Sequence, residues 1–219
     1  MTLRRHIFAS GLCTALCLGA LAMPSPASAA PATPAHPAPT YTVLGRDALA
    51  PYADAAMNAW LEWVGGDRKA LHRFDLIRNA LALEAGRRLG IDGTLLQAAW
   101  RKADRTHQLA LVAAMTQLGT PYRTNSSVPG SGFDCSGLTT WAWAQVGISL
   151  PRQSRTQINT VRRVTREEAQ AGDLIYYPGH VSLWLGVDDL ILHAPYTGRS
   201  VEFSHIRSGR SVLFGNPQG

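Results

Sequence analysis

The chain has 219 residues, 46% of them hydrophobic and 8% aromatic, with 21 Lys+Arg against 15 Asp+Glu for a formal charge of +6. That is enough apolar material for one good core, and no cluster of basic residues interleaved with aromatics marks a nucleic-acid surface, so DNA and RNA are excluded as partners. The mild basicity suits contact with an anionic envelope polymer or membrane surface.

Residues 1–29 read as a secretory signal peptide. Arg4 and Arg5 precede an apolar run from Ile7 to Met23, and Ala27-Ser28-Ala29 is a small-x-small cleavage site. Pro24 and Pro26 speak against an uncleaved anchor. The arginine pair is also the core of a twin-arginine signal, although Leu3 stands where that signal places Ser or Thr. The expectation is export to the periplasm, the cell wall or the medium. Cleavage removes Cys13 and Cys17 with Arg4 and Arg5, which lowers the charge from +6 to +4 and leaves Cys135 as the one cysteine. An unpaired cysteine in an exported chain is a reactive thiol or an intermolecular bridge. Residues 30–40 form a Pro/Ala linker that should be extended.

Residues 41–108 form a helical N-terminal region. In a first helix Leu49, Tyr52, Ala56, Trp60 and Trp63 recur at three- and four-residue spacing, and Gly65-Gly66 stops it. Asp67 can cap a second, whose stripe is Leu71, Phe74, Ile77, Leu81, Ala85 and Leu89, ended by Gly90. A third begins at Thr94, where Thr94-Leu95-Leu96-Gln97 has the form of a capping box. It runs to Leu118, or breaks near Asp104-Arg105-Thr106 and restarts. Trp60, Trp63 and Trp100 fit packing between these helices. His72 and His107 have no partner at metal-ligand spacing and read as surface residues.

Residues 109–219 form a second domain. After the loop from Arg123 to Gly132, Cys135 to Val146 is a helix stopped by Gly147, and Gln153 to Val161 is a short one. From Gly172 the period changes to two. Leu174–Tyr177, Val181–Leu185, Leu190–His193, Val201–Phe203 and Ser211–Phe214 are short strands with tight turns, which make an antiparallel sheet. Asp188 and Asp189 form one of those turns, and Asp173 reads as a strand-start residue with a structural role. Helices followed by strands define an α+β layout.

Cys135 opens its helix, where free N–H groups and the positive end of the dipole should lower the thiol's pKa. A cysteine hydrolase also needs a histidine to hold the thiol proton and a third polar group to orient that histidine. His180 begins one strand and His193 ends the next, so an antiparallel pairing brings them together. His205 lies on a polar edge, outside this set. A zinc site of Cys135, His180 and His193 is the rival reading, and it lacks a close ligand pair.

Five stretches carry a resemblance: Phe133-Asp134-Cys135-Ser136-Gly137-Leu138, Gly147-Ile148-Ser149-Leu150-Pro151-Arg152, Ala171-Gly172-Asp173-Leu174-Ile175, Gly179-His180-Val181 and Leu192-His193-Ala194-Pro195. In this order and spacing the segment from roughly Ala110 onward resembles the NlpC-type cysteine peptidases, papain-like bacterial cell-wall endopeptidases. The resemblance implies a papain-like fold, helices on a five- to six-stranded antiparallel sheet, here preceded by the extra helical region. It implies a hydrolase of peptidoglycan stem peptides without cofactor or metal, with Cys135 as nucleophile, His180 as base and then acid, and His193 as orienting residue. Tyr122 matches an oxyanion-hole tyrosine, and Asp134 and Ser136 match positions that hold the free amine of a trimmed stem peptide in some members. An amidase or acyltransferase on the same triad, and a non-catalytic wall-binding module, are the alternatives. Ser182-Leu183-Trp184 and Asn125-Ser126-Ser127 depart from the family pattern.

Overall fold

A computed structural model describes residues 46–219. The expected signal peptide and linker lie outside the described residues. Among those described, no helix is long and apolar enough to cross a membrane.

Four helices come first. α1 (Ala50–Val64) buries Ala50, Ala53, Ala56 and Ala59, a row of small side chains that lets α2 and α4 approach closely. This face differs from the expected stripe. Leu49 and Ala56 are buried, but Tyr52 is 61% exposed and Trp63 38%. α2 (Ala70–Leu89) buries Phe74, Leu81 and Ala85 as its periodicity requires, and it ends where Gly90 turns left-handed at φ 72°. α3 (Gly93–Lys102) starts earlier than the capping-box reading places it. Asp92 is the cap, its side chain accepting from the Thr94 N–H, while Gln97 donates instead to the Asn79 carbonyl. The chain then breaks at Ala103 and restarts as α4 (Arg105–Met115), with Asp104 capping through the His107 N–H.

The loop from Arg123 holds a small hairpin, β1 (Ser127–Val128) paired with β2 (Gly132–Phe133). It leads into α5 (Cys135–Ala144), and α6 (Ser154–Thr160) follows. The remaining strands are β3 (Arg162–Val164), β4 (Leu174–Tyr177), β5 (His180–Trp184), β6 (Leu190–His193), β7 (Glu202–His205) and β8 (Leu213–Asn216). They form one antiparallel six-stranded sheet in the order β3-β8-β4-β5-β6-β7. The fold is therefore α+β. β3 was not anticipated: its Arg162 and Arg163 are exposed at the sheet edge and give no apolar alternation.

Alternation divides the central strands between two faces. Leu174, Tyr176, Val181, Leu183, Leu190 and Leu192 face the helices and join one core that reaches from Leu49 to Val201. Ile175, Trp184 and Ile191 face the other way and pack with Ile206 and Phe214. The N-terminal helices are tied into this core. The Trp100 indole N–H donates to the Leu185 carbonyl at 2.9 Å, so Trp100 packs on the sheet as well as between helices.

His107 corrects its sequence reading: the ring is fully buried. Its Nδ1 lies 2.8 Å from Asp104 and its Nε2 2.9 Å from Asp173, which is also fully buried. Burial disfavours the imidazolium, but Asp173 and Asp104 outweigh it and push the His107 pKa up. The start of α4 is thereby joined to the start of β4.

Candidate active site

The cysteine helix is held at its first turn. Asp134 is the N-cap of α5, its Oδ1 accepting from the Gly137 N–H at 2.7 Å. Gly137 must lack a side chain: a Cβ there would stand 2.0 Å from the Ser126 carbonyl oxygen. Arg152 braces the same turn from the next loop, with Nη2 2.6 Å from Asp134 Oδ2, Nη1 2.8 Å from Oδ1 and 3.0 Å from Ser136 Oγ, and Nη2 3.2 Å from the Ser126 carbonyl. Gln157, buried on α6, donates to the Ser136 carbonyl and to Thr140 Oγ1 and accepts from Thr139 Oγ1.

α5 packs on β5 and sets Cys135 beside that strand's first residues. The backbone N–H groups of Val181 and Ser136 face its sulfur and favour the thiolate, yet burial is the larger effect and pushes the thiol's pKa up. The sequence reading expects a lowered value from the helix start. In the folded site, removal from water wins over the helix terminus.

The two histidines meet as the antiparallel pairing requires. His180 Nε2 lies 2.9 Å from His193 Nδ1, the rings edge to face with centroids 5.0 Å apart. Both are buried. Burial lowers the His180 pKa to about 4 and the His193 pKa to about 3, with Arg210 adding to the first and the neighbouring histidine and Arg199 to the second. Thiol and imidazoles are thus neutral at rest. Tyr177 stacks on His180 at 5.1 Å, and the Arg210 guanidinium lies 4.5 Å over the Tyr177 ring. Tyr122 lies within the field of Cys135 and Asp134. Burial and those two groups raise its phenol pKa, so the hydroxyl keeps its proton.

Of the residues matched to family positions, His180 meets His193, and Cys135 lies by Val181 and Tyr122. The polar atoms of Asp134 and Ser136 point at Arg152 and at the α5 turn. Arg152 lies in one of the five motifs but only its contacts reveal its task, and no sequence signal marks Gln157 or Tyr177. His205 is exposed at the end of β7. Among the described residues no three of His, Cys, Asp and Glu are grouped as metal ligands.

Residues 119–211 match the NlpC/P60 family model. Over this span the chain belongs to the NlpC/P60 family. It is 41% identical over 107 residues to a probable endopeptidase of Corynebacterium glutamicum, covering 48% of this chain and 49% of that protein. It is 32% identical over 111 residues to the bifunctional muramidase/DL-endopeptidase CwlT of Bacillus subtilis, covering 47% of this chain and 33% of that protein. The chain thus spans half or less of the length of these curated relatives. Among solved NlpC/P60 structures, the peptidoglycan hydrolase RipB of Mycobacterium tuberculosis is 30% identical, with 69% of this chain and 90% of that one aligned at a TM-score of 0.45.

Proposed function

We propose that this protein is an exported cysteine endopeptidase that hydrolyses peptide bonds in peptidoglycan stem peptides. The observation that carries the reading is the 2.9 Å His180–His193 bond beside a cysteine at a helix start. The endopeptidase names of the relatives support the substrate class.

The neutral pair at rest makes His180 a general base. With its Nε2–H donated to His193 Nδ1, its free lone pair is on Nδ1. As the Cys135 sulfur attacks the scissile carbonyl carbon, the thiol proton moves to that nitrogen. The oxyanion meets the Cys135 backbone N–H and the Tyr122 hydroxyl, donors of the kind that contribute about 3–4 kcal/mol each in acyl transfer. The intermediate collapses with cleavage of the C–N bond, and His180 hands its proton to the departing amine. A thioester remains. Water then attacks it, His180 takes the water's proton, the C–S bond breaks, the sulfur regains that proton from His180, and the acid product ionises.

Digestion of purified wall and defined muropeptides, read by mass spectrometry, tests this. Fragments cut within the stem peptide by the wild type and not by Cys135→Ala support it. Cleavage at the sugar–peptide junction makes the protein an amidase, and wall binding that survives Cys135→Ala without any product makes it a binding module; either result overturns the proposal.

A further inference from the structure

The histidine pair leaves one buried atom unaccounted for. Between His180 Nε2 and His193 Nδ1 there is a single proton, so one ring donates and the other accepts. If His180 is to take the thiol proton it must be neutral with a free Nδ1, and its own proton must sit on Nε2. That makes His193 Nδ1 the acceptor. A neutral His193 then carries its proton on Nε2. Among the described residues this Nε2 is buried and has no hydrogen-bond partner. A buried donor without an acceptor is destabilising.

One acceptor is placed to answer it. His193 and Glu202 are directly paired in the β6–β7 register, and Glu202 Oε1 stands 3.9 Å from His193 Nε2. That is about 1 Å beyond a hydrogen bond, within the reach of a small change in a side chain with three rotatable bonds. The carboxylate is not loose. Arg199 clasps it through Nη2 to Oε1 at 2.5 Å and Nε to Oε2 at 3.1 Å. Oε1 retains a lone pair for the ring, since a carboxylate oxygen accepts more than one bond.

We propose that Glu202 is a positioning residue for the histidine pair: its carboxylate accepts the Nε2 proton of His193 and so fixes the tautomer in which His180 presents a free Nδ1 to Cys135. The proposal rests on the cysteine-peptidase reading above. No proton passes along the chain. When His180 takes the thiol proton it becomes an imidazolium, His193 keeps its Nε2 proton, and Glu202 stays a carboxylate that stabilises the new charge through the intervening ring. Among the described residues two cations act on the pair, Arg210 on His180 and Arg199 on His193.

The experiment uses the full chain. Glu202→Leu removes acceptor and charge, and Glu202→Gln keeps an acceptor oxygen. Loss of the outer partner of an orienting histidine lowers kcat by about 10- to 100-fold in Glu202→Leu with KM little changed, and Glu202→Gln recovers most of it. The acid limb of kcat moves to lower pH in Glu202→Leu, because the imidazolium has lost its anion. Independently of turnover, 15N NMR of the ring nitrogens, assigned with His193→Gln, shows His193 protonated at Nε2 in the wild type and a tautomer mixture in Glu202→Leu. The proposal is overturned if Glu202→Leu changes kcat by no more than about twofold, or if His193 carries its proton on Nδ1 in the wild type. A wild type without peptidase activity sinks the functional reading alone, and the NMR result then judges Glu202.

Discussion

Arg152 grips both carboxylate oxygens of Asp134, at 2.6 and 2.8 Å, from a loop 18 residues further along the chain. Asp134 also caps the helix that Cys135 opens, so one carboxylate joins two loops and sets the height of Cys135. Arg152→Met leaves a nearly buried carboxylate with only its cap bonds, at a cost of about 1–3 kcal/mol. The expected outcome is a lower denaturation midpoint and a loss in kcat larger than the change in KM. Arg152→Lys should rescue it poorly, because an ammonium cannot reproduce the fork. A loss confined to KM would instead make Arg152 a substrate contact.

Gly137→Ala tests the close approach behind Cys135. With the added Cβ 2.0 Å from the Ser126 oxygen, either the segment leading into β1 or the first turn of α5 must shift. Overpacking of this kind costs about 1–3 kcal/mol. Thermal melts should show the loss, and labelling of Cys135 by a thiol reagent should change rate with it.

The acid limb of activity should lie low. In the proposed mechanism His180 must be neutral to act as base, and burial holds its pKa at about 4. kcat/KM should therefore stay level as pH falls through the ordinary histidine range, near 6.5, and decline only on approach to about 4. Because the Cys135 pKa is pushed up, alkylation by iodoacetamide should be slow at neutral pH and accelerate above the usual thiol range. An acid limb near 6.5, or fast alkylation at pH 6, would mean that the resting pair is thiolate and imidazolium.

Stability should depend on pH through two opposed sets of histidines. His180 and His193 have depressed values, so the unfolded chain binds protons that the native one refuses. Their contribution is intact above about 6.5 and is lost as pH falls through about 4 and about 3. His107 is raised by Asp173 and Asp104, so its contribution is complete below about 6.5 and is lost as pH rises through its folded value. Urea midpoints for His107→Gln, which leaves Asp173 buried without its cation, should fall by the equivalent of about 3–5 kcal/mol. The gap from wild type should be widest at pH 5 and narrow on the alkaline side.

Much of the site was legible because its signals are local or follow from strand pairing. The cap before Cys135 and the strand-end positions of His180 and His193 lie in short stretches of sequence. His107 was misread because Asp173, its deepest partner, lies 66 residues away. A nearer signal was available in Asp104, three residues before it as the cap of the same helix. The α1 face was misjudged for a different reason. Weighting by size favours Tyr52 and Trp63, whereas close helix approach selects the row of alanines. Glu202 could not be read as a partner of His193 before the β6–β7 register was known, since nine positions separate them in sequence.

The family match begins at residue 119, yet Trp100 and the faces of α1 to α4 are part of the same apolar interior as β4 to β6. A polypeptide trimmed to the matched span would carry an open wound of leucines along its sheet. Its failure to turn over substrate would report collapse and not the loss of a regulator. Any role of the N-terminal helices in gating the cleft is better sought by point changes on their outer surface, such as at Leu61 or Leu76, which are 48% and 54% exposed, than by deletion.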